Sequence, residues 1–244
     1  MSLPFTGTRL VPDDPLLQPM RIEDLARYAF FAERVPGGTV LDLGCGAGEG
    51  AQSIADRRRV VAVDADRNAL RFARQRFALP TFLQMDAEWL GFADASFDAV
   101  ISVEVIEHVP RPERYLREAR RVLKRGGVFV LTTPNRLRSS PTPGSRWPEH
   151  LREYAPEELE RLLRANFERV ELWGQSIPVY ERHPVRRLVR VVAPVVKPLL
   201  PRRLRVRALP WLQRTIRSDL TIADIEISRE GVARRPTLIA VCRV

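Results

Sequence analysis

The sequence has few cysteines and no long apolar run. Its two cysteines, Cys45 and Cys242, lie far apart and outside any CxxC spacing. A disulfide framework and a cysteine zinc site are therefore both disfavoured, as is usual for a protein of a reducing cytosol. No apolar stretch approaches the roughly 20 residues that cross a bilayer, and the first residues lack the pattern of a secretory signal. We therefore expect a cytoplasmic protein that does not span a membrane.

Acidic residues are scarce in the last part of the chain. The sequence has 40 basic and 30 acidic residues, which gives a formal net charge of +10. Up to residue 175 the two signs balance at 25 each, whereas residues 176–244 hold 15 basic and 5 acidic side chains. Apolar residues make up 45% of the chain, which suffices for a core and excludes wholesale disorder. The positive charge thus belongs to one region beside an electrically balanced remainder.

Short β-rich runs alternate with helical patterns along most of the sequence. The predicted strands are 39–43, 60–63, 81–85, 97–103, 128–132, 168–173 and 237–241. The predicted helices are 20–35, 47–56, 67–79, 112–123 and 156–165. Strands separated by helices of this length imply right-handed βαβ crossovers and a parallel sheet with helices on both faces. The pattern therefore predicts an α/β fold.

The first predicted strand runs into a glycine-rich turn. Residues 40–48 read Val-Leu-Asp-Leu-Gly-Cys-Gly-Ala-Gly, with an acid two residues before the first glycine. Glycines at a strand-to-helix turn let the backbone approach a ligand, and the helix start offers free N–H groups to an anionic group. Asp64, at the end of the second strand, can accept hydrogen bonds from both ribose hydroxyls of a nucleoside. Because residues 46–51 also fit G-x-G-x-x-A, a nicotinamide dehydrogenase is the rival interpretation.

Motifs further along the chain decide between these interpretations. After the glycine turn and Asp64 come Met-Asp-Ala-Glu at 85–88, Phe-Asp-Ala-Val-Ile-Ser at 97–102 and Leu-Lys-Arg-Gly-Gly at 123–127. In this order the motifs make the sequence resemble the class I S-adenosylmethionine-dependent methyltransferases, over about residues 20–175 and the final strand. The resemblance implies a Rossmann-like sheet of seven strands, mostly parallel with the last strand antiparallel. It also implies S-adenosylmethionine as cofactor and S-adenosylhomocysteine as product.

The resemblance also implies which residues contact the cofactor. The glycine loop would take the methionine moiety, Asp64 the ribose, and Asp86 with Ala87 the adenine. Arg27, in the helix before the loop, would lie near the cofactor carboxylate or else be a solvated helix residue. Cys45 is interpreted as a small loop residue and not as a nucleophile. The complete expected set is Asp42, Gly44, Cys45, Gly46, Asp64, Ala65, Asp86, Ala87, Ser102 and Val103, with Arg27 as a further candidate.

Two of the three histidines fall on loops that are predicted at the carboxyl edge of the sheet. His108 lies after the fourth strand, and His150 lies beyond the fifth. Methyl transfer to oxygen usually requires removal of a proton, so we expect His150 to be the general base. Arg152 and Tyr154 would face the acceptor beside it, and His108 is a further catalytic candidate. The alternative is that His150 is a loop histidine bonded to the backbone.

The same loops permit a metal site. A Glu-x-x-Glu-His motif followed by a later histidine is similar to the arrangement in ubiquinone-pathway O-methyltransferases and small-RNA 2′-hydroxyl methyltransferases. In those enzymes such residues hold a divalent cation that binds the acceptor oxygens. The ligands in this chain would be Glu104, Glu107, His108 and His150. The alternative is that Glu107 and His108 cap the following helix and that His150 alone faces the substrate. An Asn/Asp-Pro-Pro-aromatic signature is absent after the fourth strand, which favours oxygen over nitrogen as acceptor.

Residues 182–217 contain eleven basic residues and no acid. Residues 184–193 predict a short basic amphipathic helix that could cap the active site as a lid or lie on an anionic membrane. Nucleic acid is the least favoured partner because only Trp211 interleaves with the basic residues. The expected organisation is an N-terminal segment with a cofactor-covering helix at 1–38, the methyltransferase core at 39–175, a basic helical lid at 176–235 and the final core strand at 236–244.

The expected function is methyl transfer from S-adenosylmethionine to an oxygen of a small-molecule, sugar or lipid-linked acceptor. The protein would act in the cytoplasm, with peripheral contact at the inner membrane face as an option. Two alternatives stay open: an RNA 2′-O-methyltransferase with a metal site, and a non-enzymatic cofactor-binding module on a membrane or RNA surface.

Overall fold

In the part of the chain that the structure describes, one mixed sheet of eight strands organises the fold. The computed structural model describes residues 13–14, 17–139, 149–178 and 220–244. The strands lie in the order β3-β2-β1-β4-β5-β8-β6-β7. They are β1 (Thr39–Leu43), β2 (Arg59–Asp64), β3 (Thr81–Gln84), β4 (Phe97–Val103), β5 (Leu123–Pro134), β6 (Arg169–Ser176), β7 (Glu226–Ser228) and β8 (Thr237–Arg243). The first five strands pair in parallel, as the alternation of strands and helices predicts.

Helices cover both faces of the sheet. They are α1 (Gln18–Ala32), α2 (Glu49–Ala55), α3 (Arg67–Arg76), α4 (Pro112–Val122), α5 (Arg136–Ser139) and α6 (Pro156–Arg164). The first three helices share one apolar core with the sheet, and α4 and α6 share the other. Alternate residues of β5 enter opposite cores: Val130 packs towards α1–α3 and Phe129 towards α4 and α6. The α/β fold is therefore confirmed, with a core on each side of the sheet.

The sheet has eight strands in the structure, so the expectation of seven is wrong. The additional strand, β7, pairs antiparallel with the end of β6 and lies in the region expected to be a helical lid. Its three residues are too few to show the period-2 alternation by which strands are recognised. The expected antiparallel last strand is confirmed, because β8 pairs antiparallel with both β5 and β6.

Local chemistry explains where two of the helices begin. The left-handed backbone of Gly48, with φ of +82°, delays the start of α2 by two residues relative to the prediction. The Asp66 side chain accepts hydrogen bonds from the amides of Asn68 and Ala69, which caps α3.

The strongly basic segment 182–217, including the predicted amphipathic helix at 184–193, lies outside the described residues. Among the helices that the structure does describe, we find none with the length and apolar character needed to cross a bilayer.

Candidate active site

The carboxyl ends of the parallel strands meet at one edge of the sheet. This edge is where open α/β sheets bind their ligands. It carries the glycine loop after β1, the acid at the end of β2, and the loops that follow β4 and β5. Among the residues predicted from the sequence, those expected to bind the cofactor and those expected to act on the acceptor follow these strands. The fold therefore brings the two predicted groups to neighbouring positions.

The glycine loop is shaped by left-handed backbone at three glycines. Gly44, Gly46 and Gly48 have φ values of +81°, +52° and +82°. A side chain at Gly44 would overlap Val105 in the loop after β4. A Cβ at Gly48 would lie 2.7 Å from the Phe82 ring. The loop therefore requires glycine for its conformation, and it packs directly against the loop that leads to His108.

Hydrogen bonds from β2 hold the glycine loop in place. The amides of Gly44 and Cys45 donate to the Val63 carbonyl at 2.8 and 2.9 Å. The Gly46 amide donates to Asp64 Oδ2 at 2.8 Å, and the Asp66 amide donates to Asp64 Oδ1 at 2.8 Å. The carboxylate predicted to bind the ribose thus also fixes the loop that precedes it.

Three other predicted cofactor contacts lie on the same edge. Asp86 forms a tight turn by accepting from the Glu88 amide at 2.8 Å. The Ala65 carbonyl accepts from Gln84 at 3.1 Å, which joins the ends of β2 and β3. The Ser102 hydroxyl donates to the Leu43 carbonyl at 2.9 Å. These contacts connect β1 with β4 and β2 with β3, where the resemblance expects the two ends of the cofactor.

Asp42 and Cys45 are among the predicted cofactor residues that are buried. Asp42 is fully buried, and its carboxylate accepts from the Tyr28 hydroxyl at 2.9 and 3.0 Å. Burial raises the pKa of Asp42 to about 7, with a further contribution from the charge of Asp64. Burial likewise raises the pKa of the Cys45 thiol well above its usual value. A thiol with that shift is a poor nucleophile, in line with the interpretation of Cys45 as a small loop residue.

Arg27 lies in a buried polar cluster on the α1 side of the sheet. Its Nε donates to Gln175 Oε1 at 2.9 Å, and it forms an ion pair with Asp24. The Glu104 carboxylate lies 3.7 Å from it. Burial opposes the charge of Arg27, but the neighbouring carboxylates, led by Glu104, raise its pKa above the usual value. Arg27 is therefore not a solvated helix residue, and its bonds tie α1 to the ends of β4 and β6.

The two predicted histidines meet on the opposite side of this edge. The rings of His108 and His150 lie edge to face with their centroids 4.9 Å apart. His108 Nδ1 lies 3.0 Å from the Glu149 carbonyl, and His150 Nδ1 lies 2.7 Å from the Glu153 carboxylate. Because both acceptors require a proton on Nδ1, the unprotonated nitrogen of each neutral ring is Nε2. Burial lowers the pKa of His108, which favours its neutral form.

Glu107 completes this histidine cluster. Ligand atoms of Glu107, His108 and His150 lie within 4.8 Å of one another. Glu107 is fully buried, and one carboxylate oxygen accepts from the Thr133 hydroxyl at 3.0 Å. The other oxygen has no hydrogen-bond partner. Glu104 lies outside this group, since its carboxylate accepts from the Thr132 hydroxyl at 2.8 Å and faces Arg27.

Arg152 and Tyr154 line a cleft of about 300 Å³ that is bounded by α4, α5 and α6. Arg136, Glu153 and Glu158 also line it. The backbone of Arg152 donates to the Glu107 carbonyl at 3.2 Å, so the loop that carries His150 is pinned to the loop that carries His108. The structure thus brings the predicted acceptor-side residues together within one pair of loops.

Several residues in these contacts have no predicted role in the sequence, among them Glu153, Tyr28 and Gln175. Glu153 orients His150 and could have been found from its position three residues after the histidine. Tyr28 contacts Asp42 from α1, and Gln175 contacts Arg27 from a strand 148 residues away. Contacts over such separations leave no local signal in a single sequence.

Comparison with known proteins gives independent support for the cofactor side. Residues 41–131 match a family model described as a methyltransferase domain. The S-adenosylmethionine-dependent methyltransferase Rv3030 of Mycobacterium tuberculosis is 38% identical over 165 residues, which cover 66% of this chain and 60% of the relative. The chain thus spans less than two thirds of that relative's length.

Two relatives named for O-methylation match shorter stretches. A fatty-acid O-methyltransferase of Mycolicibacterium smegmatis is 39% identical over 103 residues, covering 40% of this chain and 38% of the relative. A ubiquinone biosynthesis O-methyltransferase of Chromobacterium violaceum is 34% identical over 127 residues, covering 49% and 53%. These matches support the methyltransferase interpretation over the nicotinamide dehydrogenase.

A solved structure has a similar fold. The crystal structure of an S-adenosylmethionine-dependent methyltransferase from Thermotoga maritima has a TM-score of 0.65 at 21% identity and covers 93% of this chain and 92% of its own. The motifs, the sheet order and the matched family therefore agree. The chain therefore carries a methyltransferase domain of the class I S-adenosylmethionine-dependent type, whose cofactor is S-adenosylmethionine.

Proposed function

We propose that the protein transfers the methyl group of S-adenosylmethionine to an oxygen atom of a small-molecule, sugar or lipid-linked acceptor, with His150 as the general base. The observation that carries this proposal is the bond between His150 Nδ1 and the buried Glu153 carboxylate, 2.7 Å long. A carboxylate on Nδ1 fixes the tautomer in which Nε2 can accept a proton. Two relatives that are named O-methyltransferases support oxygen as the acceptor atom.

The reaction places few demands on the protein beyond alignment. The acceptor oxygen attacks the methyl carbon in line, the sulfur–methyl bond breaks, and the acceptor proton passes to Nε2 of His150. The glycine loop and Asp64 would hold the donor. The loop that carries His150 is bonded to the Glu107 carbonyl, in the loop after β4 that packs on the glycine loop through Val105. Arg152 and Tyr154 orient the acceptor from the adjacent cleft.

Transfer of radiolabelled methyl groups tests the proposal. The acceptors are a catechol, a long-chain fatty acid and a glycolipid, with octylamine as the nitrogen acceptor. We expect label on an oxygen acceptor, and we expect His150→Gln to lower kcat by about a hundredfold. The dissociation constant of S-adenosylhomocysteine should stay unchanged, since the histidine lies outside the glycine loop.

His108→Gln is the matched control, because it alters the neighbouring imidazole and keeps the His150–Glu153 bond. We expect a smaller loss of kcat from this change than from His150→Gln. Full turnover by His150→Gln would refute its role as base. Label on octylamine, with none on the oxygen acceptors, would contradict oxygen as the acceptor atom.

A second candidate adds a divalent cation at Glu107, His108 and His150. The unpartnered, buried oxygen of Glu107 favours it, because a buried polar atom without a hydrogen bond is costly unless a ligand completes it. Two imidazoles and a carboxylate suit Zn²⁺ or Mn²⁺. When bound, the cation would lower the pKa of an acceptor hydroxyl. In this variant of the proposal, Nε2 of His150 would be a ligand and not the base.

Calorimetric titration with Zn²⁺ and Mn²⁺ distinguishes the two candidates. A metal site predicts a single binding event that Glu107→Gln weakens, together with loss of turnover after treatment with a chelator. Glu104→Gln is the control, because Glu104 faces Arg27 and should leave binding unchanged. Unchanged turnover after chelation, with no titration signal, would exclude the cation.

For the wider protein, we propose that residues 182–217 bring it to an anionic membrane on the cytoplasmic side. The support is their sequence, with eleven basic residues and no acid. Flotation with vesicles of phosphatidylglycerol at physiological salt tests this directly. Vesicles of phosphatidylcholine are the control, and absence of flotation with both would exclude a membrane contact.

A further inference from the structure

The motif of the glycine loop has a fourth glycine, Gly50, that the cofactor does not explain. It lies in α2, beyond the three glycines that require left-handed backbone. A side chain at this position would overlap the ring of Tyr28 on α1. The glycine therefore makes room for an aromatic side chain from another helix, so that α1 can lie close against the start of α2. An ion pair between Arg21 and Glu49 joins the same two helices at the surface.

The hydroxyl of Tyr28 reaches a buried acid under the loop. It donates to both carboxylate oxygens of Asp42, at 2.9 and 3.0 Å. Tyr28 is 5% exposed and Asp42 is fully buried. A hydrogen bond to a buried carboxylate is strong. Loss of its donor destabilises the folded state, because the carboxylate is then removed from water without a hydrogen bond in compensation. The position of Asp42 thus depends on α1, a separate element that precedes β1 in the sequence.

Asp42 lies two residues before Gly44, where the loop begins. On the β2 side the loop is held by Val63 and Asp64. On the β1 side, the Asp42 carboxylate accepts the hydrogen bond from α1, and Asp42 belongs to the strand that leads into the loop. We propose that Tyr28 is a positioning residue for S-adenosylmethionine, which acts through Asp42 to hold the glycine loop in its cofactor-binding conformation. Tyr28 does not touch the cofactor in this role, and the proposal is independent of the chemistry of the acceptor.

Calorimetric titration with S-adenosylhomocysteine tests this role. Tyr28→Phe removes only the hydroxyl and keeps the ring over Gly50, so the fold is retained. We expect it to raise the dissociation constant by about tenfold. This change corresponds to part of the free energy of a hydrogen bond to a charged group. Arg21→Gln is the matched control, because it removes the ion pair between α1 and α2 and leaves Tyr28 and Asp42 in place. We expect the control to change the dissociation constant by less than about twofold.

A second background shows whether the hydroxyl acts through Asp42. Asp42→Asn keeps an oxygen acceptor but removes its charge, and a charge-assisted hydrogen bond is about twice as strong as a neutral one. In this background, Tyr28→Phe should therefore raise the dissociation constant by only about threefold. A tenfold loss in both backgrounds would show that the hydroxyl acts elsewhere. A dissociation constant of Tyr28→Phe within twofold of the unmodified protein, or equal losses in Tyr28→Phe and Arg21→Gln, would overturn the proposal.

Discussion

The two halves of the carboxyl edge are built in different ways. The cofactor half comes largely from one stretch, residues 42–66, in which backbone amides and carboxylates bond to one another. The acceptor half is assembled from loops distant in sequence, and it leaves oxygens of Glu107 and Glu153 buried without a partner. The unpartnered oxygens of the second half have hydrogen-bonding capacity for a ligand. The arrangement of the predicted cofactor residues thus depends largely on local sequence, and that of the predicted acceptor residues depends on tertiary structure.

The largest expected effect concerns Asp42, a buried carboxyl of the cofactor half. Burial raises the pKa of Asp42 from 3.8 to about 7. Between these two pH values the native state keeps a proton on Asp42 that the unfolded state has lost, so the protein loses stability as the pH rises. This pKa shift corresponds to a change of about 4 kcal/mol in the free energy of unfolding. Asp42→Asn removes this titration. The stability of the variant relative to the unmodified protein should therefore rise by up to about 4 kcal/mol between pH 4 and pH 8.

Urea unfolding at a series of pH values measures this difference, and titrations shared by both proteins cancel from it. A difference that is constant across the range would show that Asp42 keeps an ordinary pKa. The cofactor half would then be less desolvated than its burial implies.

The next largest effect compares two glycines with positive φ, of which only Gly44 is crowded by a neighbouring side chain. Gly44→Ala combines positive φ with overlap of Val105 and should weaken binding of S-adenosylhomocysteine at least about a hundredfold. Gly126 has a similar φ, +75°, and no atom within 4 Å of an added Cβ. Gly126→Ala should therefore cost about 1 kcal/mol of stability without a change in affinity. Equal affinities for the two variants in a calorimetric titration would contradict the close fit of the loop.

The acceptor half should respond in turnover and not in cofactor affinity. Glu153→Leu removes the acceptor for His150 Nδ1 and should lower kcat about tenfold, the scale of changes that disturb the partner of a functional histidine. Glu153→Gln keeps an oxygen acceptor and should recover part of the loss. Single-turnover methyl transfer, measured beside the affinity for S-adenosylhomocysteine, checks both changes. Weaker cofactor binding by Glu153→Leu would show that the two halves are not separable.

The same contrast explains what could be predicted from the sequence. β1 and β4 have the predicted bounds, because a short apolar run and its flanking turns are local properties. The glycine loop is likewise a contiguous motif. β7 was missed because three residues carry no period, and its formation depends on pairing with β6.

The acceptor side shows where reasoning from sequence stops. His108 and His150 were found because their types and their positions after strands carry information. Their orientation depends on Glu149 and Glu153, and the separation of Glu104 from the histidines depends on Arg27 in α1. Such partners follow from how helices pack on the sheet, and composition, periodicity and motifs do not encode that packing directly.

The smallest expected effect asks whether the cofactor half depends on its side-chain caps. Asp66→Ala removes the cap of α3 and should cost about 1 kcal/mol of stability, whereas Asp66→Asn keeps the cap and should cost a few tenths. Both variants retain the Asp66 amide, which donates to Asp64 Oδ1 at 2.8 Å. Affinity for S-adenosylhomocysteine should therefore stay within about twofold while the thermal midpoint falls in the alanine variant. Weaker binding by Asp66→Ala alone would mean that Asp64 is held through the capped helix and not by the backbone of its own loop.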